Sequence, residues 1–309
     1  MENYRFNVKG TFVDYPKLKC KEPLQAIKIK MDKSCDSYNN GDFYQIGFNV
    51  KEFLEIYRIC FHKVRKVPLY AEYTLIPSAA GVKSPPIETW LDSEIVKYNQ
   101  TEMYDCKKQK DDLSSILDKQ FQHEESWCFT AKQLVNEKDV IPGFAQMLTH
   151  SYLNFIPYWS SGDVKNWDKC EEILRSTTKM KDKYLLIRTG ISQKLELPSK
   201  TSGLRTVHIA DKAGNKNLVP MFLWKVITDV VEGASVAIIH LNIPDLSWID
   251  VNSYIICPNI CDRIDWLKDI NTDDINNGFI YCCSIFEFEK AFKYRYVFSK
   301  GYGRLLKTL

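Results

Sequence analysis

The chain has 309 residues, 45% of them hydrophobic and 26% charged, a composition that builds folded cores and excludes disorder over most of the length. Its 42 basic and 39 acidic residues leave a net charge of +3, too small an excess to announce nucleic-acid binding by itself, so only a local basic patch would serve that end. The first twelve residues carry Glu2, Arg5 and Lys9 without the apolar run of a secretory signal, and no later stretch has the length of a membrane span; the expectation is no membrane partner and a place inside the cell or within a viral assembly.

Residues 1–45 mix short apolar runs with Lys, Asp and Asn and end in a Ser-, Asn- and Gly-rich loop signal from Asp32 to Asp42, which reads as an N-terminal extension ahead of a main domain over 46–309. Phe48, Phe53, Leu54, Tyr57 and Cys60 fall at roughly helical spacing and predict a helix over 48–61, whereas Pro68 to Ile76 alternates as a strand does. Between them Lys63, Arg65 and Lys66 form a basic cluster; it can touch phosphates, but with Glu72 and aspartates close by a solvated face is the favoured reading. Pro77, Pro85 and Pro86 make 77–110 a long surface loop with room for one short helix. Helical patterns follow at Asp111–Phe121 and Lys138–Tyr152, and the clearest runs from Asn166 to Lys179. Strands are expected at Tyr184–Thr189, Thr206–Ala210, Val219–Asp229 and Ser235–Leu241, the last two joined by a turn at Gly233, with helical segments at Ile260–Trp266 and Ile285–Tyr294. Strands and helices without strict alternation argue for an α+β domain.

Ten cysteines are many for a reducing compartment, and their number is even. The spacing of Cys257, Cys261, Cys282 and Cys283 admits a zinc site, yet adjacent cysteines rarely both ligate one tetrahedral ion, so paired disulfides are the expectation. Which cysteine joins which is left open.

The segment NFIPYWSSGDVKNWDKCEEILR, from Asn154 to Arg175, resembles the core of the DNA/RNA non-specific endonuclease family, the ββα-metal nucleases, and implies their central antiparallel sheet flanked by helices. The resemblance places Asp163 at the family's metal-binding Asn, Glu171 at a carboxylate that orients metal-bound water, and Arg175 one helical turn further. The same frame lays the family's Asp-Arg-Gly-His signature on Thr130, Ala131, Lys132 and Gln133, so all four residues are replaced. In the family that His is the general base and that Arg supports the phosphate. A glutamine amide does not titrate near neutral pH and cannot act as the base. Asp163 is still able to hold Mg²⁺ as a carboxylate, although a Ser-Ser-Gly-Asp run makes an Asx turn or helix cap in any protein. Glu171 and Arg175 equally make an i,i+4 pair on a solvated face. His150 sits in the predicted helix after Gln133, poorly placed to take over as base, and His62, His123, His208 and His240 show no evident partner and read as structural.

The likeness extends over residues 45–295, through Ile46-Gly47-Phe48, Arg188-Thr189-Gly190, Trp224-Lys225-Val226 and the paired cysteines, toward the branch typified by insect double-stranded-RNA-degrading nucleases. Members of that branch normally carry a secretion signal. A degenerate site at Ala131, Gln133, Asn154, Glu171 and Arg175 implies a catalytically inactive nuclease-fold protein repurposed for self-assembly, as in a viral occlusion body or storage lattice, with no cofactor. Seventeen tyrosines and 16 phenylalanines would suit extensive contacts. Two alternatives stand beside it, a nucleic-acid-binding pseudonuclease and a residual Mg²⁺-dependent endonuclease that uses Asp163 and a relocated base.

Overall fold

The computed structural model describes residues 5–8, 11–14, 26–49, 52–79, 99–117, 128–141, 143–160, 165–201, 203–244, 250–293, 298 and 300–309. In chain order the strands are β1 (Arg5–Val8), β2 (Thr11–Asp14), β3 (Ala26–Ser34), β4 (Gly41–Asn49), β5 (Phe53–His62), β6 (Pro68–Leu75), β7 (Cys128–Gln133), β8 (Phe155–Ser160) and β9 (Leu185–Lys194). There follow β10 (Glu196–Pro198), β11 (Leu204–Thr206), β12 (His208–Ala210), β13 (Lys216–Leu218), β14 (Pro220–Asp229), β15 (Ala234–Leu241), β16 (Ile280–Cys283) and β17 (Arg304–Leu305). The helices are α1 (Gln100–Met103), α2 (Cys106–Ile116), α3 (Gly143–Gln146), α4 (Asn166–Met180) and α5 (Ile285–Ala291).

A nine-stranded sheet in the order β16-β15-β14-β9-β6-β5-β4-β3, with β17 beside β15, is the framework of this α+β fold. Along the eight-strand path every pairing is antiparallel; only β17 runs parallel to its neighbour. β14 and β15 are buried along nearly their whole length, as an apolar run must be when both faces of a sheet are covered. Alternate side chains of β14 show the two coverings. Trp224 packs edge-on against Phe288 of α5, with ring centroids 5.2 Å apart, while its neighbour Lys225 turns to the other face and meets Glu171 of α4. The β14–β15 hairpin closes through Gly233 at φ +63°, a left-handed conformation that glycine adopts without steric cost. At one edge β3 carries Lys28 and Lys30, charges that discourage further strand addition.

Several elements differ from expectation. Residues 48–61 are not a helix: β4 ends at Asn49 and β5 begins at Phe53. Cys60 and Phe61 are both buried because the two faces of β5 are covered, and burial on both faces blurs the two-residue period. The helix expected over 138–152 is a series of short turns, a 3₁₀ turn at Glu137–Asp139, then α3, then a second 3₁₀ turn at Met147–His150; Pro142-Gly143 is a turn signal in its midst. Ile260–Trp266 likewise holds two 3₁₀ turns, Cys261–Arg263 and Asp265–Leu267. α2 begins at Cys106, earlier than expected, and 118–127 lie outside the described residues. Residue 45 itself lies within β4, which pairs with β3 and β5 in the central sheet.

The cysteines pair as Cys35–Cys60, Cys106–Cys128, Cys257–Cys283 and Cys261–Cys282. The last two lock the chain around residue 260 onto β16, in keeping with the disulfide reading of these four cysteines. Cys170 is free and buried in α4, and Cys20 lies outside the described residues.

Candidate active site

β7 and β8 form a two-stranded ribbon in which Ala131 faces Pro157 and Gln133 faces Phe155. α4 follows, giving the chain order strand, strand, helix. Trp167, Cys170, Glu171, Leu174 and Thr178 are its buried stripe, spaced three and four residues apart as a helix laid on a sheet requires. Asn166 anchors the start of α4 by donating to the carbonyls of Asn271 (2.7 Å) and Gly278 (3.1 Å).

Glu171 is the centre of the polar cluster between α4 and the sheet. Its side chain is 2% exposed and its Oε1 accepts from Lys225 Nζ at 2.9 Å, the lysine being 1% exposed. Oε2 accepts from Asn136 Nδ2 at 2.9 Å and lies 3.6 Å from Lys132 Nζ. Lys132 also pairs with Asp168. Burial acts to raise the Glu171 pKa, but Lys225, Lys132 and Arg175 together outweigh it and hold the carboxyl well below its ordinary range. Burial acts to lower the Lys132 pKa, and here Glu171 and Asp168 prevail and raise it. Both groups are therefore charged at neutral pH.

Arg175 does not pair with Glu171 on a solvated face. Its Nη1 donates to Asp139 Oδ1 at 2.7 Å, and the second oxygen of Asp139 accepts from the Tyr73 hydroxyl. The sequence frame missed Asp139, Tyr73, Asn136 and Lys225 as partners. Lys225 had a legible signal: a lysine inside the apolar run from Val219 to Asp229 needs a buried counter-charge.

Gln133 stands at the end of β7 with its amide engaged on both sides. Nε2 donates to Thr149 Oγ1 (3.0 Å) and to the Thr149 carbonyl (3.3 Å), and Oε1 accepts from the Glu137 amide at 3.3 Å. Asn154 is fully buried; it accepts from the Val135 amide at 2.9 Å and donates to the carbonyls of Val135 (2.9 Å) and Thr149 (2.8 Å). It therefore staples the 134–154 connection shut. His150 Nε2 lies 2.6 Å from Glu137 Oε2. Below β8, His240 Nε2 and Tyr158 Oη are buried without a hydrogen-bond partner among the described residues, with ring centroids 5.4 Å apart. Burial pushes the His240 pKa down to about 3.

Asp163 lies outside the described residues, and among those described no group of three or more His, Cys, Asp or Glu side chains could hold a metal. Glu171 does not fit a divalent cation on its own, because its oxygens already face two ammonium groups and an amide.

A sequence model of the DNA/RNA non-specific endonucleases matches residues 39–288. The chain belongs to that family. Within it, the chain is similar to a salivary endonuclease of Lutzomyia longipalpis, 24% identical over 291 residues that make up 92% of this chain and 68% of the relative. Among solved structures it is similar to a chain of the crystal structure of the EndoG/EndoGI complex, with a TM-score of 0.43 and 13% identity over 64% of this chain and 76% of that one.

Proposed function

We propose that this protein is a nuclease-fold protein without hydrolytic turnover, used for self-assembly of the occlusion-body or storage-lattice kind. The observation that carries the first part is the state of Gln133. Besides being unable to take a proton from water, its amide is committed to Thr149 and Glu137, so it is held by the loop and not presented to a substrate. The Arg position of the signature is Ala131, which offers a phosphate nothing.

Support for assembly over retained nucleic-acid binding is electrostatic. Each described cation of the site is committed, Lys132 to Asp168 and Glu171, Lys225 to Glu171, Arg175 to Asp139, and Lys165 to the Asn276 carbonyl at 2.9 Å. Phosphate binding would have to break buried pairs. Val231 and Met180 stand 92% and 74% exposed, apolar side chains that contacts between molecules would cover.

Pure protein incubated with duplex RNA and plasmid DNA in Mg²⁺ should leave both intact, and sedimentation should show species above monomer that grow with concentration. Metal-dependent cleavage that vanishes in Asp163→Ala or His150→Ala would overturn the first part. Duplex RNA binding with a steep negative salt dependence, from a protein that sediments as monomer, would replace assembly by the pseudonuclease reading.

A further inference from the structure

A cavity of about 350 Å³ opens at the end of the sheet where β5 turns into β6 and β9 finishes, away from β7, β8 and α4. Its floor is apolar, built by Val67, Leu69, Ile191 and Phe292, the first three of them buried. Its rim is cationic. Arg65 and Lys293 stand there with Ser192 and Gln193, no carboxylate is among the described lining residues, and neither cation has an ion pair among the described residues. Of the basic cluster read in the sequence, Lys63 pairs with Asp42 at 3.5 Å, whereas Arg65 faces this cavity. Ser192 Oγ accepts from Trp224 Nε1 at 3.1 Å and keeps its own proton to donate.

The walls are held in place. Tyr38 donates to the Lys293 carbonyl at 3.3 Å and so ties the β3–β4 turn to the end of α5. Two lining residues have left-handed backbone, Gln193 at φ +56° and Lys293 at φ +52°, and residues next to the lining do too, Asn39 at +55° and Lys66 at +56°. Such backbone is uncommon away from glycine and persists where its surroundings impose it.

We propose that this cavity binds a small amphipathic anion, an apolar or aromatic body with a single anionic head. The body lies on Val67, Leu69, Ile191 and Phe292, and the head is held by Arg65 and Lys293 with the Ser192 hydroxyl. The volume matches a small-molecule site, for which roughly 300–1,000 Å³ is usual, and an apolar floor with few convergent polar groups is the usual chemistry. Two cations at the mouth, without an ion pair among the described residues, select a negative head.

The test uses the whole protein and 8-anilinonaphthalene-1-sulfonate, followed by fluorescence and calorimetry. One probe should bind per chain, decanoate should displace it, and the neutral decanol should be at least about tenfold weaker as a competitor. Arg65→Ser with Lys293→Ser should weaken probe binding by about tenfold or more, whereas Val231→Asp between β14 and β15 should leave it unchanged. The proposal is overturned if the double variant binds as the wild type does, if decanol competes as well as decanoate, or if Val231→Asp abolishes binding. Both cationic side chains are exposed, and a thermal melt of the double variant within a few degrees of wild type confirms that lost binding is not lost folding.

Discussion

Replacing Lys225 by Met removes the ammonium 2.9 Å from Glu171 Oε1, in a pair whose side chains are 1% and 2% exposed. At that separation the attraction is about 6 kcal/mol for an effective dielectric of about 20. Most of this offsets the desolvation of two buried ions, so the intact pair adds little net stability. The variant is a different matter, because it keeps the buried carboxylate and loses its nearest cation. Lys132 at 3.6 Å and the Asn136 amide at 2.9 Å remain and soften the loss. The expected destabilisation is about 3–4 kcal/mol, near the lower end of values for broken buried pairs. Glu171→Gln in the Lys225→Met background should recover at least about 2 kcal/mol, since no unpaired charge is then left inside. Urea unfolding of wild type, both single variants and the double variant gives the cycle. A loss below about 1 kcal/mol in Lys225→Met, or a coupling near zero, would refute the reasoning that the buried Glu171 carboxylate depends on Lys225 for its counter-charge.

Acid should destabilise the protein in two stages. His240 is held neutral by burial, with its pKa lowered from 6.5 to about 3, so between those values the unfolded chain binds a proton that the folded one refuses and stability falls as pH falls; His240→Phe should flatten that part of a stability-versus-pH curve. Glu171 has a depressed pKa, so its contribution is complete above the ordinary carboxylate range and is lost on further acidification; Glu171→Gln should remove that lower limb. Asn154→Ala leaves the Val135 amide and carbonyl and the Thr149 carbonyl short of partners and should cost about 2–4 kcal/mol by denaturant titration. Breaking Cys261–Cys282, which closes a separation of 21 residues, by paired Ser substitutions should cost roughly 3 kcal/mol in non-reducing urea. Cys170, buried and with its thiol pKa pushed up to about 12 by burial, should react with a thiol reagent only after unfolding.

Strands with a clear turn were legible in the sequence. The β14–β15 hairpin could be read because apolar runs flank Gly233, and α4 because Trp167, Cys170 and Leu174 keep helical spacing over fifteen residues. β5 was not legible, since its end is covered on both faces and Cys60 is drawn into a disulfide with Cys35. The helix that carries Glu171 and Arg175 was legible, yet the partners of those two side chains were not. Asp139 lies 36 residues before Arg175, and Lys225 lies 54 after Glu171. Those pairings are set by how α4 lies across the sheet, which no local pattern encodes. The pairing of His150 with Glu137 was equally out of reach, because the segment around it is a series of turns and not the predicted helix.

The bonds of Gln133 make it a keystone of the connection that follows β7. Its amide joins the end of that strand to Thr149 and to the Glu137 amide, so the 134–154 connection depends on a side chain with both donors and an acceptor. A neutral histidine offers one donor and one acceptor on a rigid ring, so a Gln133→His variant would gain an ionisable group only by surrendering part of this scaffolding.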